Sequence, residues 1–181
     1  DEIAFGNNMT SMAVLLSRSL IHEIKTGDEI VVSHMEHDAN VGPWVLMAEE
    51  AGATVRWIDI DPDTYAIDVE NAKEKINANT KVVAVSYAGN GTGSINDIAS
   101  IIDLAKKQGA WTFIDAVQYA PHGLMDVKAL DCDFLSCSAY KFYGTHVGIL
   151  YGKRHLMESL RAYTVRPSLK KLPSRWEPGT K

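Results

Sequence analysis

The chain has 181 residues, 46% of them hydrophobic and 23% charged, so it is long enough and apolar enough to bury one sizeable core. Its 18 basic and 23 acidic residues are scattered and leave a net charge of −5, which excludes nucleic acid and an anionic membrane as predicted partners. Two cysteines are too few for a disulfide framework, and no signal peptide or membrane-spanning run is apparent, so we expect a cytoplasmic globular protein.

Apolar strand-like runs alternate with segments of helical periodicity. The predicted strands cover residues 2–5, 29–33, 54–58, 81–86, 111–115, 133–138 and 147–151. The predicted helices cover residues 10–25, 41–51, 68–77, 97–108 and 153–161. This alternation predicts an α/β fold, a three-layer αβα sandwich with a mostly parallel sheet. Residues 139–146 are too few for a parallel crossover, so one of the last two strands is predicted to be antiparallel.

Local signals mark the boundaries of several predicted helices. Gly27 is a candidate left-handed cap for the first helix, and Gly52 and Gly109 are expected to end the second and fourth. Asn96 is a candidate N-cap for the helix over residues 97–108, because its side chain can accept a hydrogen bond from a free backbone N–H.

Polar side chains follow four of the predicted strands. His37, Asn90 and Lys141 come just after strands, and Asp115 ends one. Ligands of such sheets bind in the crevice beyond the carboxyl ends of the strands, so these four groups are predicted to converge. A lysine that forms an imine with an aldehyde, together with a carboxylate that keeps a ring nitrogen protonated, is the pair that pyridoxal 5′-phosphate requires.

Two segments resemble a known family. IDAVQYAPHGLMDVKALDCDF (114–134) and SCSAYKFYGTHVGILYG (136–152) are similar to those of class V aminotransferases, in the cysteine desulfurase and selenocysteine lyase group of fold type I pyridoxal phosphate enzymes. The order SHMEHDANVGPW (33–44), Asn90, Asp-x-x-Gln at 115–118 and Ser-x-x-Lys at 138–141 extends the similarity along nearly the whole chain. The resemblance implies an incomplete large cofactor-binding domain over residues 1–165 and a linker over 166–181 that leads toward a missing C-terminal domain.

The resemblance implies a role for each matched residue. Lys141 would be the Schiff-base lysine, and Asp115 would pair with the pyridine nitrogen. Gln118 and Asn90 would stand near the phenolic oxygen of the cofactor, and His37 would stack on its ring. A phosphate suits a helix N-terminus, where free N–H groups and the helix dipole favour an anion. The implied phosphate cradle consists of Asn8, Met9, Thr10, Ser138 and Tyr140.

The implied catalytic residues are Lys141, His37 and Asp115. The freed amine of Lys141 would remove or return a proton at the α-carbon of the substrate, while Asp115 would keep the cofactor ring positive. Tyr140 stands where the cysteine desulfurases of the family usually carry a histidine, which is a departure from that subfamily.

The segment EPGT (177–180) resembles one whose glycine and threonine reach the phosphate of the neighbouring subunit. Gly179 and Thr180 therefore imply a homodimer in which the cofactor sites are shared between subunits.

The resemblance implies sulfur removal from cysteine, with an amino-acid substrate and a sulfur-acceptor protein as a further partner. Transamination, epimerisation and other eliminations stay open, because the family's substrate-binding arginine and thiol nucleophile belong to the C-terminal part. The chain by itself is expected to be inactive, and a catalytically silent cofactor-binding or scaffold module is a further alternative. A dehydrogenase of the Tyr-x-x-x-Lys type is disfavoured because Tyr140 and Lys141 are adjacent, and adjacent strand residues point to opposite faces.

Other motifs have simpler interpretations. The GNGTG stretch (89–93) lacks the G-x-G-x-x-G spacing of a dinucleotide loop, and His34 and His37 lack the HExxH context of a zinc helix, so no metal site is predicted. Cys132 and Cys137 are expected to be packing residues, because free cysteine behaves as a small hydrophobe.

Overall fold

The fold is built on one twisted sheet. A computed structural model describes residues 2–168 and 170–179, and this part of the chain forms seven strands. They are β1 (Ile3–Gly6), β2 (Glu29–Ser33), β3 (Thr54–Ile58), β4 (Thr80–Ser86), β5 (Trp111–Asp115), β6 (Phe134–Ser138) and β7 (Gly148–Gly152). The strands lie in the order β1-β7-β6-β5-β4-β2-β3, and β7 is antiparallel to both of its neighbours. The predicted mostly parallel sheet with one antiparallel strand is confirmed.

Helices cover both faces of this sheet. They are α1 (Met9–Leu20), α2 (Gly42–Ala51), α3 (Val69–Lys75), α4 (Ile98–Lys107), α5 (Val127–Leu130) and α6 (Arg154–Ser159). Short 3₁₀ turns cover Ile21–Glu23, Asp38–Asn40, Ala139–Phe142 and Ser174–Trp176. The αβα architecture places every central strand between two helical layers, which explains why β2 and β6 are buried along their whole length.

The two cores follow from the two-residue period of the strands. Ile30 and Val32 of β2 point to the face covered by α1 and α2, where Trp44 and Phe113 pack with ring centroids 5.0 Å apart. Val31 points to the opposite face, in the cluster that also contains the buried residues of α3 and α4. Alternation of neighbouring side chains between the faces thus lets one strand serve both cores.

The first helix ends earlier than predicted, because its C-terminal turn tightens into 3₁₀ geometry after Leu20. Gly27 does have a positive φ of 92°, but it lies in the turn before β2, where the N–H of Asp28 donates to the Lys25 carbonyl at 3.0 Å. Gly52 caps α2 with a φ of 69°, as predicted. The four-residue helix α5 was not predicted, because it is too short to show a periodic pattern.

The predicted N-cap of the fourth helix is wrong by one residue. Asp97 caps α4, and its side chain accepts from the Ser100 N–H at 3.1 Å. Asn96 is buried, and its amide bridges two separate segments, accepting from the Ile67 N–H at 2.9 Å and donating to the Ser86 carbonyl at 2.7 Å. Asparagine and aspartate cap helices about equally well, so only tertiary contacts separate the two.

A glycine in β7 allows the start of α1 to touch the sheet. A Cβ added at Gly148 would lie 2.4 Å from the backbone carbonyl carbon of Asn8, which is closer than real Cβ contacts come. The glycine therefore places the N-terminus of α1 beside the carboxyl end of β6. No helix in the two described ranges is long and apolar enough to cross a membrane.

Candidate active site

A cleft at the carboxyl ends of the parallel strands brings the predicted site residues together. Its walls come from the start of α1, the segment after β2, the ends of β4 and β5, and the 3₁₀ turn after β6. It is lined by Met9, Thr10, His37, Ala39, Ser86, Ala88, Asn90, Asp115, Val117, Gln118, Ser138, Tyr140 and Lys141. Asn8 immediately precedes this lining, and Thr180 lies outside the described residues. The structure therefore places these polar groups, which come from separate strands, around one cleft, as predicted.

Asp115 is the buried acid of the cleft. It ends β5 with only 5% of its surface exposed, and its neighbours in register are Ser86 on β4 and Ser136 on β6. Its Oδ1 accepts from the Val117 N–H at 2.9 Å. Burial raises the pKa of Asp115 to about 7, against the opposing effect of the Val117 N–H. The carboxyl group can therefore gain or lose its charge near neutral pH, depending on what lies beside it.

Lys141 is carried by a turn, not by the strand itself. The 3₁₀ turn Ala139–Phe142 follows β6 directly and ends at Tyr143, which has a left-handed φ of 65°. The Nζ of Lys141 lies 5.6 Å from the ring centroid of Tyr140, which in turn stacks on His146 at 5.0 Å. The expectation that Tyr140 and Lys141 point to opposite faces is wrong, because turn geometry and not a strand pleat orients them. Both side chains line the cleft.

The start of α1 forms an electropositive wall. Asn8 caps the helix, its Oδ1 accepting from the Ser11 N–H at 2.8 Å, and the first turn carries no acidic residue. The N–H of Met9 donates to the Ser138 Oγ at 2.8 Å, which joins the helix start to the end of β6. Met9 and Thr10 therefore present the positive end of the helix dipole to the cleft, a favourable place for an anion.

His37 and Asn90 are exposed residues of the cleft wall. The Nδ1 of His37 accepts from the Ala39 N–H at 3.0 Å, so a neutral ring carries its proton on Nε2. Asn90 lies in a tight turn closed by the Gly93 N–H, which donates to the Gly89 carbonyl at 3.0 Å. Gly93 has a φ of 74°, so the glycines of GNGTG serve this turn.

Glu36 is a residue of the site that the sequence analysis missed. Its carboxylate accepts from the Ser33 Oγ at 2.5 Å, the Ser86 N–H at 3.0 Å and the Asn40 Nδ2 at 2.6 Å, and also from the Ser86 Oγ. Burial raises the pKa of Glu36, against the effect of these donors. The available signal was an acid directly before His37 at the end of a buried strand.

The two cysteines do not take part in the cleft. Both Cys132 and Cys137 are buried in the core that contains α3 and α4, as predicted for packing residues. Burial raises the pKa of Cys132 to about 12 and that of Cys137 to about 11. Neither thiol therefore has the thiolate character that a nucleophile needs near neutral pH.

The sequence matches a known family model and named relatives. The model described as Aminotransferase class-V matches residues 1–180. A cysteine desulfurase of Haloferax volcanii is 35% identical over 165 residues, which is 90% of this chain and 38% of that protein. A cysteine desulfurase of Escherichia coli O9:H4 is 35% identical over 162 residues, which is 88% of this chain and 40% of that protein. The chain thus spans well under half the length of these curated relatives.

Solved structures show the same fold. The apo cysteine desulfurase from Thermococcus onnurineus NA1 matches with a TM-score of 0.90 and 30% identity, over 99% of this chain and 48% of that one. The cysteine desulfurase CsdA from Escherichia coli matches with a TM-score of 0.84 and 33% identity, over 88% of this chain and 40% of that one. The similarity therefore extends over the whole sheet and the segments that form the cleft.

Proposed function

This chain belongs to the class V aminotransferase family, and from that premise we propose that it forms the pyridoxal 5′-phosphate site of an enzyme that removes sulfur from cysteine. The observation that carries the proposal is the convergence of Lys141, Asp115 and His37 on one cleft beside a helix N-terminus. These groups fit the cofactor chemically, because they offer an amine to its aldehyde, a buried carboxyl to its ring nitrogen and the positive end of the α1 dipole to its phosphate.

Each residue of the cleft has a proposed task toward the cofactor. Lys141 would form the covalent bond to the aldehyde, Asp115 would pair with the ring nitrogen and His37 would cover a face of the ring. Gln118 and Asn90 would hold the phenolic oxygen. The phosphate would be held by Asn8, Met9, Thr10, Ser138 and Tyr140, which lie at or beside the start of α1 and the end of β6. When bound, the cofactor supplies an electron sink for the negative charge that develops at the α-carbon of an amino acid.

Asp115 and Lys141 carry the proton chemistry of this proposal. Burial raises the pKa of Asp115 to about 7, and a cationic ring nitrogen beside it would favour the ionised carboxylate, whose negative charge would keep the proton on that nitrogen. The amine of Lys141, when not bonded to the cofactor, would take the proton from the α-carbon of the substrate or return it. The 3₁₀ turn Ala139–Phe142 places Lys141 on the wall of the cleft, where its side chain could serve both tasks.

Cysteine is the proposed substrate because the curated relatives at about 35% identity are named cysteine desulfurases. The sulfur of cysteine passes to an acceptor thiol, and alanine is left. Cys132 and Cys137 are not proposed as acceptors, because both are buried and their pKa values are raised far above neutrality. The acceptor thiol, and a sulfur-acceptor protein that receives its sulfur, are therefore further partners of the proposal.

The proposal also includes a homodimer with shared sites, in the cytoplasm. Gly179 and Thr180 would reach the phosphate in the neighbouring subunit. An apolar groove of about 350 Å³ between α1 and α2 adjoins the cleft, and its exposed Val14 and Leu46 support a subunit contact there. Residues 1–165 would serve as the large domain and 166–181 as a linker to a C-terminal domain, in keeping with the greater length of the relatives.

The test uses the full-length protein that carries this chain, loaded with pyridoxal 5′-phosphate and given L-cysteine and a thiol reductant. The proposal expects alanine and sulfide in equal amounts. A keto acid without sulfide would indicate an aminotransferase. Formation of D-cysteine from L-cysteine would indicate an epimerase. A spectral change on addition of the cofactor with no product from L-cysteine would indicate a silent cofactor-binding module, and absence of any spectral change would indicate a scaffold that binds no cofactor; either result would overturn the proposal.

A further inference from the structure

Glu36 ties together three segments at the edge of the cleft. Its Oε1 receives the Ser86 N–H at 3.0 Å and the Ser33 Oγ at 2.5 Å, so it joins the ends of β4 and β2. Its Oε2 receives the Nδ2 of Asn40, at 2.6 Å, from the 3₁₀ turn that follows His37. The Glu36 carboxylate thus connects the turn that follows His37 to the ends of β2 and β4.

Each oxygen of Glu36 faces a nitrogen that can only donate a hydrogen bond and cannot accept one. The Ser86 N–H at Oε1 is a backbone donor. The amide of Asn40 is oriented by Trp44, whose indole Nε1 can only donate and does so to the Asn40 Oδ1 at 2.8 Å. The Asn40 Nδ2 must therefore point at Glu36. A carboxyl group can accept at both oxygens, whereas a glutamine would place an amide N–H against one of these donors in either orientation.

The hydrogen bonds that the described residues give His37 come from its own turn, and they include the Asn40 N–H, which donates to the His37 carbonyl at 2.7 Å. Its ring is exposed, and the contact that fixes its orientation is local, from the Ala39 N–H to Nδ1 at 3.0 Å. That contact belongs to the same turn, Asp38–Asn40, that Glu36 anchors through Asn40. The placement of the imidazole relative to the sheet therefore depends on the anchor next to it.

We infer that Glu36 is a positioning residue that holds His37 on the wall of the cleft by fastening its loop to the ends of β2 and β4. The inference rests on the proposed function, because His37 is the residue through which it would reach the bound cofactor. Glu36 itself need not touch the cofactor or the substrate.

The test is a double-mutant cycle on the apparent Kd for pyridoxal 5′-phosphate, measured by fluorescence titration with Glu36→Gln, His37→Ala and the double variant. Glu36→Gln is expected to weaken binding about 10-fold, the size of one lost hydrogen bond. In the His37→Ala background, Glu36→Gln is expected to leave the Kd almost unchanged, because the imidazole that Glu36 positions is already absent. Equal losses in both backgrounds would overturn the inference.

Glu29→Gln is the matched control. Glu29 is a buried carboxylate at the start of β2, whereas Glu36 follows the end of that strand, and the substitution should lower stability without changing the Kd. If Glu36→Gln does not fold, Ser33→Ala removes a single donor to Glu36 and is expected to weaken binding about 3-fold, again only when His37 is present. Wild-type protein that binds no cofactor would overturn the proposed function and the positioning role together, whereas normal binding with additive losses would overturn the positioning role alone.

Discussion

The two edges of the sheet treat their buried carboxylates in opposite ways. At the amino-terminal edge, Glu29 accepts from both Nε and Nη2 of Arg56 at 2.7 Å and from Asn77 at 2.7 Å. The hydrogen bond from Arg56 lowers the pKa of Glu29 in spite of its burial. At the carboxyl edge, burial raises the pKa values of Asp115 and Glu36 instead. The same residue type thus carries a fixed charge at one edge and an adjustable one at the other.

A second cluster at the amino-terminal edge follows the first pattern. Lys153 contacts Asp131 at 2.8 Å and Asp133 at 2.9 Å, and Lys106 also pairs with Asp131. Hydrogen bonds from the two lysines lower the pKa of Asp131 to about 2. Carboxylates paired in this way join strands and helices, whereas those at the other edge remain able to respond to a ligand. Perturbed acids in a cleft are typical of functional sites, and this contrast separates the two edges on physical grounds.

We expect the largest difference between the two edges of the sheet when the lysine at each edge, Lys141 or Lys153, is replaced. Lys141→Ala should abolish the visible absorbance band of bound pyridoxal 5′-phosphate, because it removes the amine that bonds to the aldehyde. Lys153→Ala should keep the band but lower the free energy of unfolding by about 1–3 kcal/mol, because it leaves Asp133 buried without its cation. Absorbance spectra and urea titrations of both variants check this. An absorbance band that survives in Lys141→Ala would show that Lys141 is not the residue that bonds to the cofactor.

The second prediction concerns pH and Asp115. The native pKa of about 7 lies above the unfolded value of 3.8, so the native state of the cofactor-free protein holds a proton that the unfolded state has lost between these two pH values. Asp115 therefore lowers stability as pH rises from about 4 to 7, by about 4 kcal/mol in order of magnitude.

Asp115→Asn keeps the acceptor for Val117 but removes this titration. The variant should gain stability relative to wild type between pH 4 and pH 8, measured by urea unfolding across that range. Glu36 contributes a slope of the same sign and stays in both proteins. An unchanged difference between the two proteins at every pH would show that burial does not control the charge of Asp115.

The smallest expected effect concerns Glu29, whose contribution to stability should rise with pH, whereas that of Asp115 falls. The lowered pKa of Glu29 gives stability that is present above its unfolded value of about 4.5 and is lost as pH falls below it. Glu29→Gln should therefore cost about 1–2 kcal/mol at pH 7, held to this size because Arg56 is half-exposed, and much less at pH 3. Urea unfolding at the two pH values checks the sign. A larger cost at pH 3 would contradict the pairing.

The strands could be predicted within one residue at each end, because apolar runs bounded by polar and glycine residues are a local signal. The location of the cleft could also be predicted, because Asp115 ends a strand, His37 and Lys141 follow strands, and ligands of such sheets bind beyond the carboxyl ends of the strands. The individual roles of these residues came from the family resemblance, because no property of a single sequence distinguishes a cofactor-bonding lysine from a surface lysine.

Contacts between distant segments could not be predicted. Glu36 and Ser86 are 50 residues apart in the chain, so no local pattern reveals the hydrogen bonds between them. Asn96 resembled a helix cap because the partners that bury its amide come from other segments. The 3₁₀ turn that carries Lys141 also has no periodic signal, which is why its side-chain direction was predicted wrongly.

The most direct measurement is the peptide map of the full-length protein after loading with pyridoxal 5′-phosphate and reduction with borohydride. We expect the mass added by the reduced cofactor on the peptide that contains Lys141 and on no other lysine of the chain. A cofactor mass on a different lysine, or loaded protein in which no peptide gains that mass, would contradict it.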